Sequence, residues 1–172
     1  KELVDYWCTT FDWRTQEKAI NTFNHYKADI DGLGVHFIHE PGKGPNPMPL
    51  IISHGWPSTF CEITKLIPFL TDPAKHGGDP EDSFDVVVPS LPGFGFSDRS
   101  TNPGMNSQKM ADIFASLMEG LGYHRFGAHG GDWGGWITPR MGLCYPERVL
   151  GVHVTLLNPP PPVSGGPPCS LS

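Results

Sequence analysis

The sequence predicts an α/β fold with a mostly parallel sheet, and three features of the 172-residue chain support this prediction. Short apolar runs that suit buried strands alternate with segments of helical periodicity, which is typical of βαβ units. The segment around Met110 and Leu117 repeats its apolar residues at helical spacing. Several strand-like runs end abruptly at glycine or proline. Ligands of such sheets bind at the carboxyl ends of the strands, so the residues after each strand are candidates for chemistry.

The first predicted elements are a hairpin and a short strand. Strands at 26–30 and 35–40 flank the dipeptide Asp31-Gly32, which favours a tight turn. Residues 50–53 form an apolar run that predicts a third strand.

A helix and a buried strand are predicted next. Thr59 and Glu62 have the spacing of a capping box. The apolar residues that follow share one helical face: Phe60, Ile63, Leu66, Ile67 and Leu70. Residues 86–88 form a valine run that predicts a buried strand, and Pro89 ends it.

The second half of the chain gives the clearest helix. Its apolar residues recur at helical spacing: Met110, Ile113, Phe114, Leu117, Met118 and Leu121. A strand at 125–128, a helix at 133–145 and a strand at 149–157 are predicted after it. Pro139 lies inside the second of these elements, and a proline there costs about 3 kcal/mol, so we expect a kinked or shortened helix.

Composition and charge exclude several classes of partner. The chain has 12 Lys+Arg and 18 Asp+Glu, and its net charge of -6 argues against nucleic acid. No apolar run of about 18 residues and no signal peptide are visible, so we expect a soluble, cytoplasmic protein. The cysteines are far apart and lack metal-ligand spacing, which predicts reduced thiols and no metal site: Cys8, Cys61, Cys144 and Cys169.

One strand end has the pattern of a nucleophile elbow. The run Gly130-Gly131-Asp132-Trp133-Gly134 places a reactive residue between small ones, as needed in a strained strand-to-helix turn. The carboxylate of Asp132 is ionised at neutral pH and can attack without a base. Its attack on an sp3 carbon gives an alkyl ester, which suits opening a strained ring or displacing a halide. The alternative interpretation is that Asp132 only caps the following helix.

A second motif follows the third predicted strand. The run His54-Gly55-Trp56-Pro57 lies where the second amide of an oxyanion hole is expected. We expect the main-chain N–H groups of Trp56 and Trp133 to converge on one oxygen and to stabilise a tetrahedral intermediate. A tight turn here is compatible with a cis bond before the proline. The alternative is an ordinary βα turn with a histidine packed beneath it.

With these motifs in this order, the sequence resembles the N-terminal part of an epoxide hydrolase. The group is the microsomal and juvenile-hormone type of the α/β-hydrolase superfamily, and the resemblance covers about residues 6–158. The HGWP motif followed by GGDWG is its specific part. The residues that carry it are Phe11-Asp12-Trp13-Arg14 with Glu17, Ile30-Asp31-Gly32, His36-Phe37-Ile38-His39, residues 54–57, Leu70-Thr71-Asp72-Pro73, residues 88–97 and residues 130–134.

The resemblance implies an enzyme that opens small apolar epoxides to vicinal diols without cofactor or metal. In that family the aspartate at the elbow attacks an epoxide carbon, a role that falls here on Asp132. Two tyrosines of a cap domain protonate the epoxide oxygen, and a histidine oriented by an acid activates the water that hydrolyses the ester.

The resemblance also predicts that this chain lacks the hydrolytic half of the site. The cap tyrosines, the acid and the histidine lie downstream in family order. Five tyrosines and histidines within the chain are expected not to replace them, because of their places on the predicted strands and helices: Tyr123, His124, His129, Tyr145 and His153. We therefore expect a fragment or half of an assembly, with a sheet edge open to self-association.

The resemblance implies that the chain divides into three segments. Residues 1–25 correspond to part of an N-terminal extension, and residues 26–158 to the N-terminal half of the α/β-hydrolase core. Residues 159–172 are rich in proline and glycine and are predicted to be a tail or the start of a linker to the cap.

Two other functions remain open. A haloalkane dehalogenase also uses an Asp-Trp elbow, but asparagine typically follows its His-Gly, where this chain has Trp56. A non-catalytic α/β scaffold that binds an apolar ligand or partner would fit a chain without a water-activating histidine.

Overall fold

A six-stranded sheet forms the centre of the computed structural model, which describes residues 1–157. The strands are β1 (His25–Ile30), β2 (Leu33–Glu40), β3 (Met48–Ser53), β4 (Phe84–Pro89), β5 (Phe126–Gly130) and β6 (Val149–Val154). Their order across the sheet is β1-β2-β4-β3-β5-β6. The pairs β3–β4, β3–β5 and β5–β6 are parallel, whereas β1–β2 and β2–β4 are antiparallel. The predicted mostly parallel α/β architecture is confirmed.

The hairpin between β1 and β2 forms where the sequence predicts it. Asp31 and Gly32 have φ values of 53° and 78°, so both residues of the turn are left-handed, as hairpin turns of this length require. The carboxylate of Asp29 accepts a 3.0 Å hydrogen bond from the N–H of Gly32.

Helices cover both faces of the sheet, and the residues of β4 show how the core divides. Val87 packs in a cluster with α4 (Ser107–Gly120) and α5 (Gly134–Cys144), whereas Val86 and Val88 pack in a second cluster on the other face. This alternation is the two-residue period of a strand. Asn106 is the N-cap of α4, and its side chain accepts a hydrogen bond from the N–H of Lys109.

The single helix predicted from residue 60 is wrong, because the segment forms two short helices. A 3₁₀ helix spans Phe60–Ile63, and α3 spans Ile67–Thr71. Pro68 lies in the first turn of α3, where its missing N–H does no harm. In one continuous helix, Pro68 could not donate to the carbonyl of Thr64, and its ring would clash there. Thr59 still caps the first helix, accepting a hydrogen bond from the N–H of Cys61.

Pro139 does not shorten the helix that contains it. The helix α5 runs from Gly134 to Cys144 with Pro139 inside. It packs against β5, β6 and α4, and in proteins such tertiary packing supplies most of a helix's stability.

Two helices precede the sheet, α1 (Glu2–Thr9) and α2 (Trp13–Ile20). Asp12 caps α2 by accepting a 3.0 Å hydrogen bond from the N–H of Arg14. Among the described residues, every side chain of α1 is exposed, including Trp7 at 69%.

At the other side of the sheet, β6 is an edge strand of the described part of the chain. Leu150 and Val152 are exposed along it. Residues 159–172, predicted as a tail or linker, lie outside the described residues.

Three further observations bear on the sequence predictions. Among residues 1–157, no helix is both long enough and apolar enough to cross a bilayer. Cys8 and Cys61 are free and exposed, whereas Cys144 is disulfide-bonded, so the expectation of reduced thiols is wrong at that residue.

Candidate active site

The two sequence motifs meet at the carboxyl ends of β3 and β5. Ser53 at the end of β3 pairs with Gly130 at the end of β5, so the segments that follow leave the sheet side by side. The main-chain N–H of Trp56 donates a 2.9 Å hydrogen bond to Oδ1 of Asp132. The sequence predicts that both motifs follow strand ends, and the structure adds that β3 and β5 are neighbours in the sheet.

Asp132 occupies a strained turn between β5 and α5. Its φ is 51°, and within the described residues only Asp31 shares a positive φ without being glycine. Aspartate tolerates this left-handed region better than most residues, but the conformation still costs of order 1 kcal/mol. The turn lifts the carboxylate out of the sheet, and Asp132 is exposed.

Glycines around the turn are required by close contacts. A Cβ on Gly130 would overlap the carbonyl of Gly134, and one on Gly134 would overlap the carbonyl of Ser53. A Cβ on Gly131 would lie 2.5 Å from Oγ1 of Thr155. The small residues predicted for an elbow are therefore a packing requirement, because they let α5 begin directly against β3 and β5.

Gly55 performs the same task for the facing segment. A Cβ on Gly55 would lie 2.5 Å from both Cβ and Oδ1 of Asp132. Only glycine lets the main chain approach closely enough for the N–H of Trp56 to reach the carboxylate.

The carboxylate of Asp132 does not cap α5. The N-cap residue of α5 is Trp133, and no side chain accepts a hydrogen bond from the first amides of the helix. Within residues 1–157, Oδ1 of Asp132 has the N–H of Trp56 as its partner and Oδ2 has none. The helix-cap interpretation is therefore not supported by the hydrogen bonds, and Oδ2 remains available to a ligand.

The second predicted amide, that of Trp133, belongs to the residue after Asp132. It makes no hydrogen bond within the described part of the chain. It lies at the N-terminus of α5, where the helix dipole favours negative charge. Whether it shares an oxygen with Trp56 stays a prediction.

His54 lies beneath the site and joins two loops. It is fully buried, its Nε2 accepts a 3.1 Å hydrogen bond from the N–H of Leu91, and its Nδ1 lies 3.0 Å from the carbonyl oxygen of Gly55. A carbonyl only accepts, so Nδ1 carries the proton and the ring is neutral. Burial lowers the pKa of His54, in agreement with this assignment. The peptide bond between Trp56 and Pro57 is cis.

Two serines that follow β4, Ser90 and Ser97, form a hydrogen-bonded network with His36 behind the site. Ser90 is fully buried, and its Oγ lies 2.8 Å from Nδ1 of His36. Ser97 donates to the carbonyl of Ser90 and accepts from the N–H of His36. The signal that could have indicated this network is a histidine at an inward position of β2, between the apolar Val35 and Phe37.

Four of the tyrosines and histidines considered as replacements have partners away from Asp132. His129 and His153 pair through their Nδ1 atoms at 2.8 Å. The hydroxyl of Tyr123 donates a 3.0 Å hydrogen bond to Asp85, and that of Tyr145 donates a 2.8 Å hydrogen bond to Asp112. Burial, together with these carboxylates, raises the pKa of each phenol to about 12. None of the four contacts Asp132, as expected from their positions on the strands and helices.

A metal has no evident site in the part of the chain that the structure describes. No group of three or more histidine, cysteine, aspartate or glutamate side chains is placed to hold one.

Comparison with known families agrees with this geometry. Residues 1–63 match the family model described as "Epoxide hydrolase N terminus", and residues 48–166 match "alpha/beta hydrolase fold".

Individual proteins give the same result. "Epoxide hydrolase 1" of Sus scrofa is 44% identical over 91% of this chain, which covers 35% of that protein. The crystal structure of juvenile hormone epoxide hydrolase from the silkworm Bombyx mori aligns with a TM-score of 0.79 at 35% identity, over 87% of this chain and 40% of that one. An Aspergillus niger epoxide hydrolase structure aligns with a TM-score of 0.77 at 28% identity, over 94% of this chain and 42% of that one.

The resemblance to the N-terminal part of epoxide hydrolases is thus confirmed, and with it the predicted α/β-hydrolase fold. The chain spans about a third of the length of the curated relatives that it matches.

Proposed function

The chain belongs to the alpha/beta hydrolase fold family, and from this premise we propose that it carries the ester-forming part of an epoxide hydrolase, with Asp132 as the nucleophile. The observation that carries the proposal is the pair formed by Trp56 and Asp132. One carboxylate oxygen is held by a main-chain amide at 2.9 Å, and the other has no hydrogen-bond partner among residues 1–157. Similarity to epoxide hydrolases from Sus scrofa and Bombyx mori supports the same chemistry.

The first step is an attack by Oδ2 of Asp132 on a ring carbon of the epoxide. A bond forms between Oδ2 and carbon, the carbon–oxygen bond of the ring breaks, and the ring oxygen leaves with the electron pair. That oxygen then takes a proton from an acid or from water. Relief of ring strain helps the step, so a carboxylate that would not open an unstrained ether can act here.

The amide of Trp56 serves the second step more than the first. After alkylation of Oδ2, Oδ1 becomes the carbonyl oxygen of the ester. When water attacks the ester carbon, negative charge develops on Oδ1, where the N–H of Trp56 already lies. We propose that the free N–H of Trp133 joins it at that stage, which completes an oxyanion hole.

The water-activating histidine, its acid and the tyrosines that protonate the epoxide would belong to a part of the longer relatives that this chain does not span. None of the described histidines contacts Asp132. We therefore expect the chain to form the ester and to hydrolyse it slowly. The proposed substrate is a small apolar epoxide.

The test is the intact mass of the chain after incubation with excess 4-nitrostyrene oxide. We expect a single adduct, and no adduct in Asp132→Asn, which keeps an amide oxygen for Trp56 but loses the nucleophile. Asp98→Asn is the matched control, because Asp98 is an exposed carboxylate that pairs with Lys27 and makes no hydrogen bond to Asp132 or Trp56 within the described residues. Equal labelling of all three proteins would contradict the proposal.

A parallel incubation with 1-chlorohexane separates the dehalogenase alternative. Chloride release from the chloroalkane, with no adduct from the epoxide, would favour displacement of halide over ring opening. Absence of both reactions in a folded chain would favour the non-catalytic scaffold.

A further inference from the structure

A line of buried polar side chains lies behind the two loops of the candidate site, and the proposed reaction does not use it. Ser90 is fully buried and His36 is 4% exposed. Oγ of Ser90 lies 2.8 Å from Nδ1 of His36, and Nε2 of His36 lies 2.9 Å from Nδ1 of His25. Nε2 of His25 lies 3.0 Å from the carbonyl oxygen of Ile20, the last residue of α2.

When both histidines are neutral, only one assignment of donors and acceptors satisfies this series of hydrogen bonds. The carbonyl of Ile20 can only accept, so Nε2 of His25 carries the proton and its Nδ1 is an acceptor. Nε2 of His36 must then donate to His25, which leaves Nδ1 of His36 as an acceptor for the hydroxyl of Ser90. Burial, assisted by His25 and Lys27, lowers the pKa of His36 to about 4, so this ring is neutral at physiological pH.

The same elements fix the main chain of Ser90. Its N–H donates to the carbonyl of His36 at 2.8 Å. Its carbonyl accepts from Oγ of Ser97 at 2.8 Å, and that oxygen in turn accepts from the N–H of His36 at 2.9 Å. All three polar groups of Ser90 are therefore paired within a buried network, which holds the start of the loop after β4 in one position.

From Ser90 the hydrogen bonds continue to the candidate site. The next residue, Leu91, donates its N–H to Nε2 of His54, and Nδ1 of His54 donates to the carbonyl of Gly55. That carbonyl belongs to the same planar peptide group as the N–H of Trp56. The ring of His54 therefore sets the rotation of the peptide plane whose other edge contacts Asp132.

We propose that His36 and Ser90 are positioning residues for the amide of Trp56. They fix Leu91, Leu91 fixes the ring of His54, and His54 orients the Gly55–Trp56 peptide group. The proposal rests on the proposed function for the role of that amide at an ester, whereas the hydrogen bonds that it requires can be measured without any substrate.

The first test uses the unmodified chain and the ¹⁵N resonances of its histidine rings. The proposal requires the proton on Nε2 in His25 and His36, and on Nδ1 in His54. A proton on Nδ1 of His36 would overturn it, because the hydroxyl of Ser90 could not then donate to the ring.

The second test is the hydrogen-exchange rate of the Trp56 amide in Ser90→Ala. We expect exchange to accelerate about tenfold, since one buried hydrogen bond that closes the loop is lost. Thr71→Val is the matched control, because it removes a comparably buried hydroxyl whose bond to Ile67 stays within α3. Equal rates at Trp56 in Ser90→Ala and Thr71→Val would overturn the proposal.

A pair of substitutions at His36 separates positioning from general packing. His36→Asn keeps an acceptor near the position of Nδ1, whereas His36→Leu removes it. We expect slow exchange at Trp56 to be retained in the first and lost in the second, and equal loss in both would contradict the role of the acceptor. These measurements fail or succeed independently of adduct formation on Asp132, so the two proposals can be distinguished.

Discussion

The main-chain N–H of Trp56 lies 2.9 Å from Oδ1 of Asp132, although 76 residues separate the two along the chain. The contact depends on the parallel pairing of β3 and β5, on a left-handed conformation at Asp132 and on the absence of a side chain at Gly55. It gives one carboxylate oxygen a fixed donor, whereas the other has no partner in the part of the chain that the structure describes.

Gly55→Ala should disrupt the contact. The new Cβ would lie 2.5 Å from Cβ and Oδ1 of Asp132, so the two loops must separate. We expect a loss of about 1–3 kcal/mol of unfolding free energy, as in overpacked cores, and little adduct formation with 4-nitrostyrene oxide. Gly120→Ala is the control, since its Cβ would meet nothing within 4 Å at the end of α4. Urea unfolding of both variants measures the difference, and equal stabilities would contradict the close approach.

The strain at Asp132 should appear as a difference between two variants. Asp132→Gly and Asp132→Ala both lose the bond to Trp56, but only glycine relieves the positive φ of 51°. We expect Asp132→Gly to be more stable than Asp132→Ala by about 1 kcal/mol. Thermal or urea unfolding of the two variants measures the difference in unfolding free energy. An alanine variant as stable as the glycine variant would show that the turn is unstrained.

Thr138→Val should stabilise the chain by about 1 kcal/mol. Oγ1 of Thr138 is completely buried beside the elbow and has no hydrogen-bond partner in the described residues. Its burial therefore carries a penalty that a methyl group avoids. Thr71→Val should instead destabilise, because Oγ1 of Thr71 loses its bond to Ile67. Changes of the same sign in the two variants would contradict this account.

Stability should depend on pH through His36. Desolvation, with His25 and Lys27 nearby, lowers the pKa of its ring from 6.5 to about 4. Between these values the unfolded chain binds a proton that the folded chain does not, so stability falls as pH decreases from about 6.5 to about 4. Linkage sets the loss at roughly 1–3 kcal/mol.

The check on His36 is a comparison of urea unfolding at neutral and mildly acidic pH with and without His36→Asn. Other histidines with lowered pKa values, including His54 and His129, contribute to both proteins equally. The variant should lose less stability on acidification than the unmodified chain. Identical losses would mean that the ring of His36 is not held neutral by the fold.

The sequence predicts much of this site because its main features are local. Elbow glycines, strand ends and the apolar face of α4 follow from spacing along the chain. The strand order, which puts β3 next to β5 and so brings Trp56 beside Asp132, is known only from the structure.

Other features depend on packing that spacing does not reveal. The bond between His36 and Ser90 joins residues 54 positions apart, and Ser90 resembles any loop serine in the sequence. The apolar spacing continues through residues 64–66 and so does not reveal the break between the two helices, although Pro68, in the first turn of the second, is a usable signal. The disulfide state of Cys144 also has no local signal.

The most direct measurement is a crystal structure of the chain after reaction with 4-nitrostyrene oxide. We expect an alkyl group on Oδ2 of Asp132, with the ester carbonyl oxygen Oδ1 still within hydrogen-bonding distance of the N–H of Trp56. An alkyl group on another residue, or an ester carbonyl turned away from the amides of both Trp56 and Trp133, would contradict it.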